Sequence, residues 1–432
     1  MRIMLAGTGS GCGKTTASLL LMAALKRRGK DVAPFKAGPD YIDPGFHESL
    51  CGRPSYNLDC WLMQRETLFR LLDQPADIAV IEGVMGYYDG LDVRSFACSS
   101  WELARVTQTP VLLVVDASGG AASVAATVKG FQALRPDSGI AGVLVNRANG
   151  EGHYALIREA VAYHTGLPCV GYLAKNQKLA FPSRHLGLVP ARETPDLLPR
   201  LEEAAAEAEN TLDLPRILSL AEQAPSLPGV PGPALPDFSG YRLGVALDEA
   251  FHFYYRDNLD ALRASGMALI FFSLLKDEGL PGGLDGLYIG GGYPEVFAQG
   301  LAANRSMRES VRAALEGGLR CYAECGGLMY LSREIDGQPM AGFLPVICHM
   351  TDRLQRFGYV TVEDSAGLSF PAHEFHHAVA RPVGEADCAY TVRKVSRPDQ
   401  AWRCGYVRGR TLAAFAHVYF GDRPQLIRRF FA

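Results

Sequence analysis

Short apolar runs recur along the first half of the chain, and each leads into a loop that contains Gly or Asp. The runs read RIMLAG, DVAPFKAG, IAVIEG, VLLVVDAS and AGVLVNRA, and segments with helical spacing, such as TTASLLLMAALKRRGK, separate them. Strands that are apolar throughout are buried on both faces, which is typical of a parallel sheet covered by helices. The pattern therefore predicts an α/β fold with a doubly wound parallel sheet.

A Pro- and Gly-rich stretch divides the sequence. APSLPGVPGPALPDF holds five prolines and two glycines between Pro225 and Pro236, and this composition is typical of a linker. A second alternation of strand-like and helix-like segments begins at YRLGVALDEA. Because 432 residues exceed one ordinary core, we predict a domain over 1–224, a linker over 225–238 and a second α/β domain over 239–432.

Charge, hydropathy and cysteine spacing exclude several classes of protein. The formal net charge of −3 gives no field that would attract nucleic acid or an acidic membrane. No apolar run approaches the ~20 residues of a membrane span, and the N-terminus does not resemble a secretory signal. The ten cysteines include no Cys-x-x-Cys pair, so we interpret them as reduced thiols. We predict a cytoplasmic globular protein without nucleic-acid or membrane partners, and leave open whether it forms a homodimer.

The segment GTGSGCGKTT follows the first predicted strand and opens a helix, as a nucleotide-binding loop does. It departs from the G-x-x-x-x-G-K-[ST] pattern, because Thr8 stands where the first glycine belongs and Gly7 comes one residue early. The glycines still let backbone N–H groups face phosphate oxygens. Lys14 can reach the β- and γ-phosphates, and the Thr15 hydroxyl can bind Mg²⁺. The predicted nucleotide contacts are Gly9, Gly11, Gly13, Lys14, Thr15 and Thr16.

Charged residues follow the neighbouring strands. Glu82 ends the strand IAVIE, and FKAGPDYIDP places Lys36, Asp40 and Asp43 after the preceding strand. Open α/β sheets bind ligands at the carboxyl ends of their strands, and Mg²⁺ takes oxygen ligands while keeping several waters. A lysine at such a strand end can stabilise the charge that develops during phosphoryl transfer. These residues therefore predict an ATP and Mg²⁺ site.

The stretch CYAECGGLMYL leaves two interpretations of its second cysteine. A free Cys is often a small buried core residue. The two glycines after Cys325 instead permit a tight strand-to-helix turn with the thiol at its tip, whereas Cys321 lies within the predicted strand and is expected only to pack.

The blocks above, together with GRPSYNLD, IEGVMGYYDG, PSRHLGLV, DEAFHFYYRDNLD, LYIGGGYPE and RLQRFGYV, resemble the cobyrinic acid a,c-diamide synthase family nearly along the whole chain. The resemblance implies a P-loop, dethiobiotin synthetase-like synthetase domain fused to a class I-like glutamine amidotransferase domain. It also implies that the nucleotide and Mg²⁺ contact Lys14, Thr15, Lys36, Asp40 and Glu82, with Thr15, Asp40 and Glu82 as the metal ligands. Asp89, in MGYYDG, is implied to lie near the reacting carboxylate.

The second domain then predicts a glutaminase site. Cys325 is the nucleophile, and the helix N-terminus with the N–H of Gly326 is expected to favour the thiolate and to support an oxyanion. Gly291, in GGGYPE, is the second oxyanion donor. The base is His417, in AAFAHVYF. Many glutamine amidotransferases carry His-x-Glu here, whereas this chain has Tyr419, so we predict a Cys–His dyad and leave open what orients the histidine.

The remaining predicted contacts concern substrates. Asn146, in VLVNRA, is placed to contact an adenine edge. A corrinoid or other tetrapyrrole polycarboxylate needs local cations, because the whole protein is net acidic. Arginine pairs bidentately with carboxylates, so we expect Arg184 and Arg53 to contact the macrocycle, with His185 and Asp43 nearby.

The segment HEFHH, from His373 to His377, matches the zinc-protease pattern H-E-x-x-H. That pattern requires a regular helix, but Pro371 and Pro382 bracket a segment with little helical patterning. We therefore predict a structural or interdomain role for these histidines.

Together these features predict an enzyme that hydrolyses glutamine, activates a carboxylate with ATP as an acyl phosphate, and passes ammonia between domains along a closed path. The resemblance implies cobyrinic acid as the substrate, amidated at its a and c carboxylates during cobalamin biosynthesis. The same chemistry on nickel-sirohydrochlorin, hydrogenobyrinic acid or another tetrapyrrole acid remains open. A P-loop partitioning or metal-insertion ATPase is the alternative from another class, and it would need no glutaminase nucleophile.

Overall fold

The computed structural model describes residues 1–175, 194 and 196–432, together with the backbone of 183–184 and 187–188. Contacts divide the chain into two compact units, Met1–Pro231 and Gly232–Ala432. Across the described ranges, no helix combines the length and the apolar character that a bilayer span requires.

A seven-stranded sheet forms the core of the first unit, and all its neighbouring strands are parallel. Its strands are β1 (Arg2–Gly7), β2 (Val32–Ala37), β3 (Tyr56–Leu58), β4 (Ile78–Glu82), β5 (Val111–Asp116), β6 (Ile140–Ala148) and β7 (Cys169–Ala174). The antiparallel pair β8 (Ser183–Arg184) and β9 (Gly187–Leu188) follows. The helices are α1 (Lys14–Arg27), α2 (Asp43–Cys51), α3 (Arg65–Leu72), α4 (Ser100–Thr107), α5 (Ser123–Leu134), α6 (Glu151–Thr165), α7 (Leu197–Thr211) and α8 (Leu214–Ala221).

The order β3-β2-β4-β1-β5-β6-β7 places β1 between β4 and β5. Every residue of β1, β2 and β4 is buried, which explains why their sequences are mostly apolar. Because neighbouring parallel strands end at the same edge, the loops after β1, β2 and β4 open side by side. The predicted parallel sheet is confirmed, and its carboxyl edge carries the phosphate loop.

A nine-stranded mixed sheet forms the core of the second unit, in the order β12-β10-β13-β15-β24-β23-β22-β19-β20. The strands of this unit are β10 (Arg242–Ala246), β11 (Phe251–Phe253), β12 (Ala268–Phe272), β13 (Gly286–Ile289), β14 (Gly291–Gly292), β15 (Arg320–Glu324), β16 (Glu334–Ile335), β17 (Gln338–Pro339), β18 (Val346–His349), β19 (Arg356–Asp364), β20 (Ser369–His376), β21 (Val379–Pro382), β22 (Asp387–Lys394), β23 (Arg397–Arg408) and β24 (Thr411–Ala414). The helices are α9 (Arg256–Ala264), α10 (Ala298–Ala303), α11 (Arg305–Glu316), α12 (Gly326–Leu331) and α13 (Pro424–Phe431).

The two halves of this sheet differ in direction. From β12 to β24 the pairs are parallel, and from β24 to β20 they are antiparallel. One strand of the parallel half, β15, ends at the turn that carries Cys325. In the antiparallel half, the first four residues of HEFHH lie in the extended strand β20, which confirms that this segment is not the helix that a zinc-protease motif needs.

Candidate functional site

The loop between β1 and α1 folds around its own lysine. Gly11 and Gly13 have φ angles of +78° and +94°, a region that favours glycine, and Gly13 is the N-cap of α1. Lys14 Nζ donates a hydrogen bond to the carbonyl of Gly9 at 3.0 Å. A Cβ on Gly7 would lie 2.7 Å from Lys14 Cγ. The early glycine therefore makes room for the lysine stem, which is why the loop tolerates the shifted sequence pattern.

Two residues from the end of β6 contact this loop. Asn146 donates from Nδ2 to the carbonyl of Cys12 at 2.9 Å, and a Cβ on Gly13 would lie 2.0 Å from the same nitrogen. Arg147 donates to the carbonyl of Gly11 at 3.0 Å. Asn146 therefore supports the phosphate loop in this structure, and its contact with adenine stays a prediction. Arg147 was not predicted from the sequence, although this residue directly follows Asn146.

The ends of β2 and β4 form a group of charges that we call the Lys36 cluster: Lys36, Asp40, Asp43 and Glu82. Strand register sets Lys36 opposite Glu82, and Lys36 Nζ lies 2.8 Å from Glu82 Oε1. The same nitrogen lies 2.6 Å from Asp43 Oδ2 and 3.9 Å from Asp40 Oδ2. The structure thus brings together the four charged residues that the sequence placed after these two strands.

Glu82 also joins the cluster to α1 and α2. The Thr15 hydroxyl donates to Glu82 Oε1 at 2.6 Å, and His47 Nε2 lies 2.8 Å from Oε2. The other ring nitrogen of His47 lies 3.1 Å from the Ser55 hydroxyl. The sequence analysis missed His47. Its position four residues after Asp43 places both on one face of α2, a spacing that could have revealed it.

The charges of the cluster shift one another's pKa values. Burial alone would lower the pKa of Lys36, but the carboxylates of Asp43, Glu82 and Asp40 outweigh it and raise that pKa. Burial would raise the pKa of Glu82, whereas Lys36 and His47 hold it well below its usual range. For Asp43, burial and the charge of Asp40 raise the pKa despite the ion pair with Lys36. The shifted pKa values therefore favour the protonated, cationic form of Lys36 and the ionised, anionic form of Glu82.

Asp89 and Thr16 lie near this edge but outside the cluster. Asp89 is exposed in the loop after β4, where its Oδ2 accepts a hydrogen bond from the N–H of Gly86 at 2.8 Å. Thr16 lies in the first turn of α1 and is partly exposed. Their predicted contacts with substrate and nucleotide stay predictions.

Arg53 is not brought to the phosphate edge. It forms an ion pair with Asp31 at 2.5 Å and donates to the carbonyl of Pro75 at 2.9 Å. Asp31 directly precedes β2, so this pair lies at the amino end of a strand whose carboxyl end holds Lys36. Arg184 lies in β8 and its side chain is outside the described residues, as is the whole of His185.

In the second unit, Cys325 occupies a strained turn between β15 and α12. Its φ is +48° and its ψ is −101°, an unusual conformation for a residue with a side chain. A Cβ on Gly326 would lie 3.1 Å from the backbone nitrogen of Gly292, and one on Gly327 would lie 2.2 Å from the carbonyl oxygen of Ile289. Both glycines are needed because the turn packs directly on backbone, which is the geometry of a strand-nucleophile-helix turn.

The same region holds the other predicted glutaminase residues. A Cβ on Gly291 would lie 2.5 Å from Cε1 of His417, so the glycine loop contacts the predicted base. Two backbone hydrogen bonds with His373, of 2.8 and 3.1 Å, hold His417 to β20. The hydroxyl of Tyr419 donates instead to the carboxylate of Asp257. Tyr419 is therefore engaged with a different acid.

The pKa of the Cys325 thiol reflects opposing influences. Burial raises this pKa, the carboxylates of Glu295 and Glu374 raise it further, and the N–H of Gly326 opposes them only in part. The N–H at the start of α12 thus favours the thiolate, as the sequence predicts, but burial outweighs it in this structure. The thiol needs a base to ionise.

Glu374 is a buried carboxylate that the sequence analysis passed over within HEFHH. Among the described residues, neither of its oxygens has a hydrogen-bond partner. Nε2 of His376 lies 3.8 Å from its Oε2, while the His376 ring stacks on Phe415 at 3.9 Å between centroids. No group of three or more His, Cys, Asp or Glu side chains in the described parts of the chain is arranged to hold a metal ion.

Two family models match the chain in the order of the two units. Residues 3–189 match the CobQ/CobB/MinD/ParA nucleotide binding domain. Residues 242–425 match the CobB/CobQ-like glutamine amidotransferase domain. The first match contains the phosphate loop and the Lys36 cluster, and the second contains the turn at Cys325 and His417.

Curated relatives match over the full length. Cobyrinate a,c-diamide synthase of Listeria monocytogenes serotype 4b is 43% identical over 446 residues, covering 100% of this chain and 98% of the relative. The protein of that name from Salmonella typhimurium is 41% identical over 447 residues, covering 99% and 97%. That of Priestia megaterium is 38% identical over 445 residues, covering 99% and 95%. With both domain models matched in order, the chain belongs to the cobyrinate a,c-diamide synthase family.

Proposed function

We propose that this protein is an ATP-dependent, glutamine-hydrolysing ligase that converts the a and c carboxylates of cobyrinate to amides. The observation that carries the proposal is the presence, in one chain, of a phosphate loop beside the Lys36 cluster and of a strained cysteine turn beside His417. The relatives that match this chain end to end are named for that product.

Glutamine hydrolysis uses the second unit. His417 takes the proton of the Cys325 thiol, and the thiolate attacks the side-chain amide carbon of glutamine. The backbone N–H of Gly326 and the segment Gly291–Gly292 stabilise the oxyanion of the tetrahedral intermediate. His417 then returns the proton to the departing nitrogen, which leaves as ammonia, and water hydrolyses the thioester to glutamate. The raised pKa of the buried thiol supports the need for this base.

Carboxylate activation uses the first unit. The substrate carboxylate attacks the γ-phosphorus of ATP, which gives an acyl phosphate and ADP, and ammonia then displaces phosphate to form the amide. Lys14 and Lys36 offset the negative charge that accumulates on the transferred phosphoryl group. Asp43 and Asp89 are the proposed substrate-side carboxylates of this edge. Ammonia travels between the two reaction centres, since ammonia free in water would be protonated and lost.

The residues at this edge fit Mg²⁺. Their donors are hard oxygens, and Thr15 Oγ1 and Glu82 Oε1 lie 2.6 Å apart at the end of the phosphate loop. Thr15, Asp40 and Glu82 would hold the ion, and the remaining positions would go to phosphate oxygens and water. When bound, Mg²⁺ supplies charge neutralisation on the phosphates.

The test is a product analysis with purified protein, glutamine, ATP and Mg²⁺. Cobyrinate, hydrogenobyrinate and nickel-sirohydrochlorin are each supplied in turn, and the macrocycle is examined by mass spectrometry. We expect a diamide from cobyrinate, with one ADP and one glutamate formed for each amide. A diamide formed efficiently from another macrocycle, and not from cobyrinate, would replace the substrate in this proposal. ATP hydrolysis without any amide would reject the ligase.

A further inference from the structure

Glu324, the last residue of β15, lies directly before the nucleophile and beside the base. Its Oε2 is 3.8 Å from Nδ1 of His417. The side chains of both residues are almost fully buried, at 2% and 3% exposure. At this distance the two groups interact through charge and not through a hydrogen bond. Water screens such a buried pair far less than it screens a surface pair.

Three donors hold the Glu324 carboxylate in place. The hydroxyl of Tyr322 donates to Oε1 at 2.8 Å, and that of Tyr288 donates to Oε2 at 3.1 Å. The N–H of Val418 donates to Oε1 at 3.0 Å. These bonds provide hydrogen-bond partners for a buried carboxylate and fix its orientation. Because Val418 follows His417, the same carboxylate also fixes the backbone next to the base.

Two other groups near His417 supply no charge that would orient it. Position 419, where many glutamine amidotransferases have a glutamate, holds a tyrosine whose hydroxyl is bonded to Asp257. From β20, His373 faces the base, but burial and the charge of His417 lower the pKa of His373 to about 3. His373 is therefore neutral at physiological pH and supplies no charge to His417.

We propose that Glu324 is the positioning residue of the glutaminase site. It orients the His417 ring from the Nδ1 side and stabilises the imidazolium that forms when Nε2 takes the proton of Cys325. Glu324 takes no part in the proton transfer, in which the proton passes from Sγ to Nε2 and on to the leaving nitrogen. The inference rests on the proposed roles of Cys325 and His417 in glutamine hydrolysis.

This arrangement differs from a triad whose acid follows the histidine in sequence. Here the acid precedes the nucleophile, so one strand end carries both the thiol and the group that orients its base. A third residue that orients a catalytic base is a general feature of activated nucleophiles, and the chain supplies it from β15.

The test compares Glu324→Gln with Asp364→Asn as a matched control. Glutamine has the shape of glutamate without its charge. Asp364 is another buried carboxylate of the second unit, which accepts from the N–H groups of Ala366 and Leu368 at 2.9 Å and pairs with Arg429. Steady-state glutaminase kinetics and amidation with added ammonia are measured on the full-length protein.

For Glu324→Gln we expect kcat for glutamine hydrolysis to fall about 10- to 100-fold, the effect typical of residues that orient a functional histidine. The KM for glutamine and the ammonia-dependent amidation should change little, because the substrate pocket and the first unit are untouched. Asp364→Asn should keep wild-type kcat.

Glu324→Asp tests the role independently of folding, because it keeps the charge on a shorter side chain. We expect it to recover part of the kcat that Glu324→Gln loses. An unchanged kcat in Glu324→Gln, or no recovery in Glu324→Asp, would overturn the proposal. If Cys325→Ala abolishes hydrolysis while Glu324→Gln does not, only the positioning role fails. If Cys325→Ala still hydrolyses glutamine, the proposed function itself fails.

Discussion

The Lys36 cluster and the turn at Cys325 both lie at the carboxyl ends of parallel strands, yet they use different physical means. In the first, one cation lies within 4 Å of three carboxylates, and opposite charges hold the side chains in place. In the second, a strained backbone presents a thiol whose pKa is raised, and we propose that a neighbouring base ionises it. Transfer of a charged phosphoryl group requires charged side chains in fixed positions. Activation of a thiol nucleophile instead requires an exact position for the thiol and a base that takes its proton.

The comparison implies that substitutions at the two sites differ in their effects on stability and activity. Removing a charge from the Lys36 cluster leaves a buried partner uncompensated, so stability and activity fall together. Removing the thiol at Cys325 leaves no buried charge behind, so activity can be lost while the fold is kept. The predictions below test this contrast.

The largest expected effect is that of Cys325→Ala, which should reduce glutamine-dependent amidation to the background level. Amidation with a high concentration of ammonia should persist, because the synthetase residues lie in the other unit. Parallel assays with the two nitrogen donors measure this. Cys321→Ala is the matched control, since Cys321 is a buried strand residue and should keep both activities. Loss of both activities in folded Cys325→Ala would contradict the separation of the two sites.

The next effect is expected in the first unit. Glu82→Gln and Lys14→Ala should each lower amidation about 100-fold or more with either nitrogen donor. Lys14→Ala leaves phosphate charge uncompensated, and Glu82→Gln removes a proposed Mg²⁺ ligand. Glu82→Gln should also lower the free energy of unfolding by about 3–5 kcal/mol, since Lys36 and His47 lose a buried partner. Activity assays and urea denaturation test both points.

Glu209→Gln is the control for this pair. Glu209 forms a partly exposed ion pair with Arg27, 3.0 Å long, and its loss should change stability by about 1 kcal/mol or less. If Glu82→Gln were as stable and as active as this control, Glu82 would not be the charge on which the cluster depends.

A smaller effect concerns the macrocycle. In the Lys36 cluster, the lysine already pairs with the carboxylates of the cluster itself. The substrate carboxylates therefore need another cationic partner. We expect Arg184→Ala to raise the KM for the macrocycle about 10- to 150-fold, which corresponds to roughly 1.5–3 kcal/mol for one charge-assisted hydrogen bond. The KM values for ATP and glutamine should barely change. Arg53→Ala is the control, because Arg53 pairs with Asp31 away from the phosphate edge.

The sequence predicted the elements of both sites better than their electrostatics. The phosphate loop, Glu82 at the end of β4 and the cysteine turn follow from local patterns, because glycine spacing and apolar runs are short-range signals. Contacts between segments that are far apart in the chain could not be predicted from the sequence. Arg147 contacts Gly11 across 136 positions, and Glu324 meets His417 through strand packing.

The balance of influences on the Cys325 thiol has the same origin. A helix N-terminus is visible in sequence and argues for a thiolate. Burial of the thiol and the approach of Glu374, almost fifty positions later, are properties of the folded sheet. Arg53 shows the reverse case, in which a plausible residue type pairs with Asp31 before the amino end of β2, at the opposite end of that strand from Lys36.

The smallest expected effect concerns the influence of Glu374 on the thiol. Burial raises the pKa of Cys325 most, the charge of Glu295 raises it next, and the charge of Glu374 adds to both. Glu374→Gln removes the charge and keeps the burial, so the pKa should fall, and alkylation of Cys325 at a fixed pH should quicken about 2- to 10-fold, which corresponds to up to one pKa unit.

Iodoacetamide labelling of the Cys325 peptide, followed by mass spectrometry across a pH series, measures this change. The curve of rate against pH should move to lower pH in Glu374→Gln and should not move in Glu385→Gln, where the glutamate is exposed. An unchanged or slower rate in Glu374→Gln would mean that the carboxylate carries no charge near the thiol. Burial and the charge of Glu295 would then set the pKa of the thiol, and the contrast with the charge-rich Lys36 cluster would be sharper still.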